Sequence, residues 1–198
     1  MTERRNNYLF KQLKTMASFD KAIVNTFKAE GGFENDKEDN ANFVNGVCIG
    51  TNRGISAQAY YAYYKKVPTV EQMKALTAEQ AMQIFKGNYW DKVGCDYIIN
   101  QSVAELMFQF IIGSGQGQIS DIKDIANKTN GKAVLVSNDI AITKMDASFI
   151  NGLNQSLFFK GLWDFRLAFY DKVVANNPAK MKYLKGWRNR LNTHKFIA

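Results

Sequence analysis

The chain has 198 residues, 46% of them hydrophobic and 13% aromatic. That is enough to bury a sizeable core in one domain, or one domain with a helical appendage, and too apolar for a disordered tail. A net charge of +8 and a pI near 9.4 favour polyanionic surroundings (nucleic acid, anionic lipid or bacterial cell wall) without choosing among them.

Residues 1–17 read as a polar lead-in or short first helix. From Ser18 to Ala29 the spacing predicts an amphipathic helix, with Ser18 as N-cap and Phe19, Ile23, Val24 and Phe27 on one face. Gly31-Gly32 supplies the left-handed exit, so Glu30 falls on the last helical residue. The negative end of the helix dipole and an apolar neighbour such as Phe33 both disfavour a carboxylate there. Both raise its pKa, as a general acid near neutral pH requires. The competing reading is a surface Glu at a frayed helix end. The Asn-, Asp- and Gly-rich segment 34–54 then contains Asn45-Gly46 between Phe43-Val44 and Val47-Cys48-Ile49, which predicts a small hairpin.

Ser56 is placed to cap a helix carrying Tyr60, Tyr61, Tyr63 and Tyr64. Thr69 with Gln72 and Thr77 with Gln80 are capping-box patterns, the second helix running towards Tyr89-Trp90. Ser102 with Glu105 predicts the opening of a helix whose core stripe is Val103, Leu106, Met107, Phe110 and Ile111, stopping at Gly113-Ser114-Gly115. Ile119, Ile122 and Ile125 mark another helix, closed by Asn130-Gly131. Residues 133–136 are a short strand or a buried connection. Two helices follow, at 146–175 with a break near Gly152 and at 178–192 opened by Asn177-Pro178.

Most chemistries can be set aside on residue types. The single His194 lies near the C-terminus and reads as a solvated tail residue, which leaves no Ser-His-Asp or Cys-His site. Cys48 and Cys95 have no CxxC partner and read as ordinary thiols, so neither a metal site nor a cofactor is expected. Carboxylates remain: Glu30, Glu34, Asp36, Glu38 and Asp39 crowd beside a tyrosine-rich helix. Glycoside hydrolysis needs two carboxylates and aromatic surface for sugar rings.

Glu30-Gly31-Gly32-Phe33, Asn35-Asp36 and Thr51-Asn52-Arg53-Gly54-Ile55 form an ordered set with Tyr89-Trp90 and Phe108-Gln109-Phe110-Ile111-Ile112-Gly113-Ser114-Gly115. Together they resemble the phage-type N-acetylmuramidases of glycoside hydrolase family 108, some of which are labelled secretion activator proteins. Phe165-Arg166-Leu167-Ala168-Phe169-Tyr170 and Lys185-Gly186-Trp187-Arg188-Asn189-Arg190 are similar to that family's peptidoglycan-binding-like appendage. The chain departs from the family pattern where Asp39 is followed by Asn40 instead of Pro-Gly-Gly. It departs again at Gln109, where an Asp is often found, and at Gly113.

The resemblance implies a mainly α, lysozyme-like helical fold with a small β-hairpin near the active site and a C-terminal helical region. It divides the chain into a catalytic region, 1–115, and a helical peptidoglycan-binding-like region, 116–198, packed on it. It implies cleavage of peptidoglycan glycan strands with Glu30 as general acid. Asp39 is the candidate second carboxylate by its place in the motif, with Asp36 close behind. Candidate substrate-binding residues are Asn35, Asp36, Thr51, Arg53, Tyr60, Tyr64, Tyr89, Trp90 and Gln109. The expected molecule is a monomer without nucleic-acid partner or integral membrane segment. It is expected to be synthesised in the cytoplasm without a signal peptide and to act on the wall after release or export. Two other readings stay open: a degenerate muramidase that binds wall without cutting it, and a basic nucleic-acid binder suggested only by the charge.

Overall fold

The computed structural model describes residues 16–28, 32–112, 116–137 and 141–198. The expectations for residues 1–15, for Glu30 and for the stop at 113–115 lie outside them. Helix α1, Phe19–Lys28, opens where Ala17 donates to the Ile98 carbonyl at 2.8 Å and the Ser18 N–H to Gln101 Oε1 at 2.7 Å. Ala22 and Ile23 are buried, and Phe19 meets Trp90 and Phe108 edge-on at 5.6 and 5.9 Å. Val24, expected on this face, is 49% exposed. The face is centred on Phe19, Ala22 and Ile23, and one further residue turns away from it.

Two hairpins follow in succession. Strands β1 (Phe43–Val44) and β2 (Val47–Cys48) pair across Asn45-Gly46, both at positive φ (52° and 78°), as a type I′ turn demands. Strands β3 (Thr51–Asn52) and β4 (Ile55–Ser56) pair across Arg53-Gly54, again both positive (51° and 73°). This second hairpin was not anticipated. Ser56 then caps α2, Ala57–Tyr64, its hydroxyl accepting from Ala59 N.

Both capping boxes are present, at Thr69/Gln72 opening α3 (Val70–Lys74) and Thr77/Gln80 opening α4 (Ala78–Phe85). A π-helical turn, Lys86–Trp90, continues α4 and swings Trp90 into the core. Helix α5, Gln101–Ile111, is capped by Asn100, which accepts from Val103 N; the expected cap, Ser102, lies inside the helix. Its hydroxyl accepts instead from Ile197 N at 3.0 Å and pins the C-terminal segment. Helix α6, Ile119–Asn130, ends at Gly131 in the left-handed conformation. Residues 133–136 form no strand: Asn127 satisfies both Val134 N and Leu135 N, burying Leu135 and leaving Val134 and Val136 exposed.

Helices α7 (Lys144–Gly152) and α8 (Gln155–Asn176) are separated at the expected break, and α9, Met181–Thr193, closes the chain. Lys123 of α6, wholly buried, lies 3.3 Å from Asp146 in the first turn of α7. Truncating one member of such a pair strands a buried charge and costs about 3–5 kcal/mol.

The fold is mainly α, with two small antiparallel strand pairs set against the helices. One large core runs from Ile23 through Trp90, Phe108 and Phe110 to Phe158, Leu162 and Leu191. A smaller one gathers Val44, Ile49, Ala57 and Met73 beneath the hairpins, with Phe33 and Tyr60 packed against it. No helix among the described residues is long and apolar enough to cross a membrane.

His194 corrects the reading of a solvated tail, because it is 9% exposed. Burial first, then the charge of Arg190, lowers its pKa from 6.5 to about 4. The unfolded chain therefore binds this proton more tightly, so the stabilisation is complete above pH 6.5 and is lost as pH falls towards 4. The full effect is about 3 kcal/mol at most. Thermal unfolding of wild type and His194→Gln at pH 7.5 and pH 4.5 should show the wild type losing more stability on acidification. Parallel losses would mean that the imidazole is not held neutral.

Candidate active site

The acidic segment is anchored to the hairpins through its backbone, while two of its carboxylates fasten only local turns. Glu34 and Thr51 exchange both N–H···O bonds at 2.8 Å, adding a bridge to the outer side of β3. Gly50, with φ +108°, lets this bridge close: a Cβ there would lie 2.6 Å from the Glu34 carbonyl oxygen and 2.8 Å from the Phe33 ring. Asn42, 2% exposed, is the hub of the loop. Its amide donates to the Asp36 carbonyl at 2.9 Å, its side-chain oxygen accepts from Thr51 Oγ1, and its carbonyl accepts from Ile49 N and Gly50 N. Nothing in the sequence marked Asn42 out from its neighbours, Asn40 and Asn45.

The proposed site residues separate on this frame. Asp36 accepts from Glu38 N at 2.8 Å, and Asp39 from Ala41 N at 3.0 Å, so each carboxylate fastens a turn through one oxygen. Both side chains remain exposed. Asn35, also exposed, accepts from Cys48 Sγ at 2.6 Å. Thr51 is a half-buried strut towards Asn42. Arg53 is exposed at its turn and donates through Nε to the Leu76 carbonyl at 3.0 Å.

The aromatic candidates divide by burial. Tyr64 is 37% exposed and meets Tyr60 at 4.6 Å and Tyr63 at 4.9 Å. Tyr60 packs half-buried against both cores. Tyr89 is half-buried beside Phe85, and burial raises its phenol pKa. Trp90 has no exposed surface: its indole donates to Asp96 at 2.6 Å and its ring packs edge-on against Phe108. It is a core residue, in place of the expected groove-lining one. Gln109 lies on α5, half-buried, facing a cavity formed with α8 and α9.

The C-terminal helices border this region. Lys182, in the first turn of α9, reaches Glu38 at 3.2 Å. Both groups are well exposed, so water screens the pair and it adds little to stability; what it establishes is proximity between α9 and the acidic loop. Among the described residues no cluster of His, Cys, Asp and Glu could hold a metal ion.

The sequence pattern of the glycosyl hydrolase 108 family matches residues 23–115, a span that contains Glu30, the acidic loop, both hairpins and α5. Over residues 23–115 the chain is similar to glycosyl hydrolase family 108. The structure of Brucella abortus SagA is similar to this chain, with a TM-score of 0.68 and 25% identity over 88% of this chain and 90% of that one. No curated protein matches. The family 108 match thus ends just after α5, and the likeness to the solved chain extends over more of the sequence than that match does. The fold is lysozyme-like and mainly helical, and the family 108 match over residues 23–115 supports a glycoside hydrolase of the peptidoglycan-hydrolase type.

Proposed function

We propose that the chain is an N-acetylmuramidase that hydrolyses the bond between N-acetylmuramic acid and N-acetylglucosamine in peptidoglycan glycan strands. The observation that carries this reading is the family 108 match, which begins ahead of Glu30 and runs through the loop bearing Asp36 and Asp39. Glu30 protonates the leaving glycosidic oxygen. Asp39, outward on a loop fixed by Asn42 and Gly50, is the carboxylate that orients water or meets the developing oxocarbenium charge. Tyr64 and Arg53 offer an exposed ring and guanidinium for sugar and stem-peptide carboxylates. Arrival at the wall follows release or export, and the excess of Lys and Arg favours attachment to an anionic surface.

The test is product analysis on purified peptidoglycan by mass spectrometry after borohydride reduction. Reduced muramic acid at the new chain ends is the expected result. Reduced glucosamine would replace the muramidase reading by a glucosaminidase one, and no new reducing end would leave a wall-binding protein without hydrolysis.

A further inference from the structure

The cavity bounded by α5, α8 and α9 has a volume of about 330 Å³, within the range of small-ligand sites. Arg166, Lys180 and Arg190 line it together with Tyr170 and Trp187, and no Asp or Glu among the described residues does. Arg166 is 5% exposed. Its guanidinium donates to Tyr170 Oη at 3.1 Å, to Gln118 Oε1 at 2.6 Å and, at 3.4 Å, to the Ile112 carbonyl. Three of its five N–H groups are thereby used, all on neutral acceptors.

Rings of Phe110, Phe169 and Tyr170 surround the guanidinium carbon at 5.5, 5.3 and 4.9 Å. That cage eases the burial of the cation but neutralises none of its charge. A purely structural Arg would need only the bonds to Ile112 and Gln118 that tie α8 to the end of α5 and the start of α6. It would not need two more cations around an open cavity. Tyr170 and Trp187 lie 5.4 Å apart at 30°, forming an aromatic wall beside them.

We propose that this cavity is a binding site for a small anion, carboxylate or phosphate, carried on a body that lies against Tyr170 and Trp187. Arg166 forms the floor, and Arg190 and Lys180 the rim. Lys180 is two residues from Lys182, which reaches Glu38, so the segment that opens α9 carries both a cavity-lining cation and a contact to the acidic loop. The site stands on its own geometry, whether or not the chain cuts glycan.

The experiment titrates the full chain with N-acetylalanine, as a carboxylate, and with inorganic phosphate. It follows the arginine Nε–Hε and tryptophan indole NMR signals against sodium chloride at matched ionic strength. A saturable shift of the Arg166 and Trp187 signals is expected with at least one probe. Preference for N-acetylalanine would point to peptide carboxylates, and preference for phosphate to a phosphate-bearing polymer or ester. Arg190→Gln and Lys180→Gln change exposed side chains, so they should fold and weaken binding several-fold even if Arg166→Gln does not fold. Glu30→Gln should bind as wild type does, which separates this site from the hydrolytic reading. Shifts no larger than those with chloride, or unchanged in both rim variants, would overturn the proposal.

Discussion

Glu30→Gln is expected to leave the melting temperature within a degree or two of wild type while lowering wall lysis about 10²–10⁴-fold, the usual contribution of a positioned general acid. The substitution keeps the shape and removes only the transferable proton. Its companion is Asp39→Asn. Asn accepts a backbone N–H as well as Asp does at such a turn, so the bond from Ala41 N survives and any loss reports on charge alone. Turbidity clearance by the purified variants decides the matter. Activity within a few-fold of wild type in Glu30→Gln would remove Glu30 as the acid. An Asp39→Asn loss no greater than that of Glu34→Gln or Glu38→Gln would reduce the acidic run to a solvated loop.

Trp90→Ala should destabilise the fold by about 3–5 kcal/mol, as other large aromatic truncations in cores do. The ring is wholly buried between Phe19 and Phe108. Its removal also strips Asp96 of a donor, although Lys86 remains at 2.8 Å. Denaturant unfolding measures the loss directly. A variant with unchanged midpoint and impaired lysis would restore Trp90 to the sugar groove and refute its place in the core.

What the sequence disclosed followed the reach of the forces involved. The capping boxes at Thr69 and Thr77 and the Asn45-Gly46 turn are satisfied within four residues, so their chemistry is written locally. The second hairpin escaped because its two-residue strands are too short to show alternation and its turn begins with Arg53, a residue that seldom takes positive φ. Ser102 imitated a cap because Glu105 follows at the right spacing, but the hydroxyl is claimed by Ile197, 95 residues away. Trp90 shows the same limit. Adjacent aromatics on a helical segment face different directions, and only the packing of Phe19 and Phe108 decides which one is buried. At the site, the crowding of carboxylates was legible, whereas the buried Asn42 that fixes their loop was not. The cationic cavity was equally hidden, since α5, α8 and α9 meet only in three dimensions.

The large core has a consequence for how such a chain can be taken apart. Phe110 of the matched region packs against Phe165 of α8 with ring centroids 5.5 Å apart, while Phe108 and Ile111 belong to the same apolar cluster as Leu162 and Leu191. A cut at the end of the matched region would pass through the middle of an oil drop and leave two wet, sticky halves. The matched region and the C-terminal helices therefore share one interior, and unlike a module on a tether neither could be detached without exposing the apolar surface that both of them bury.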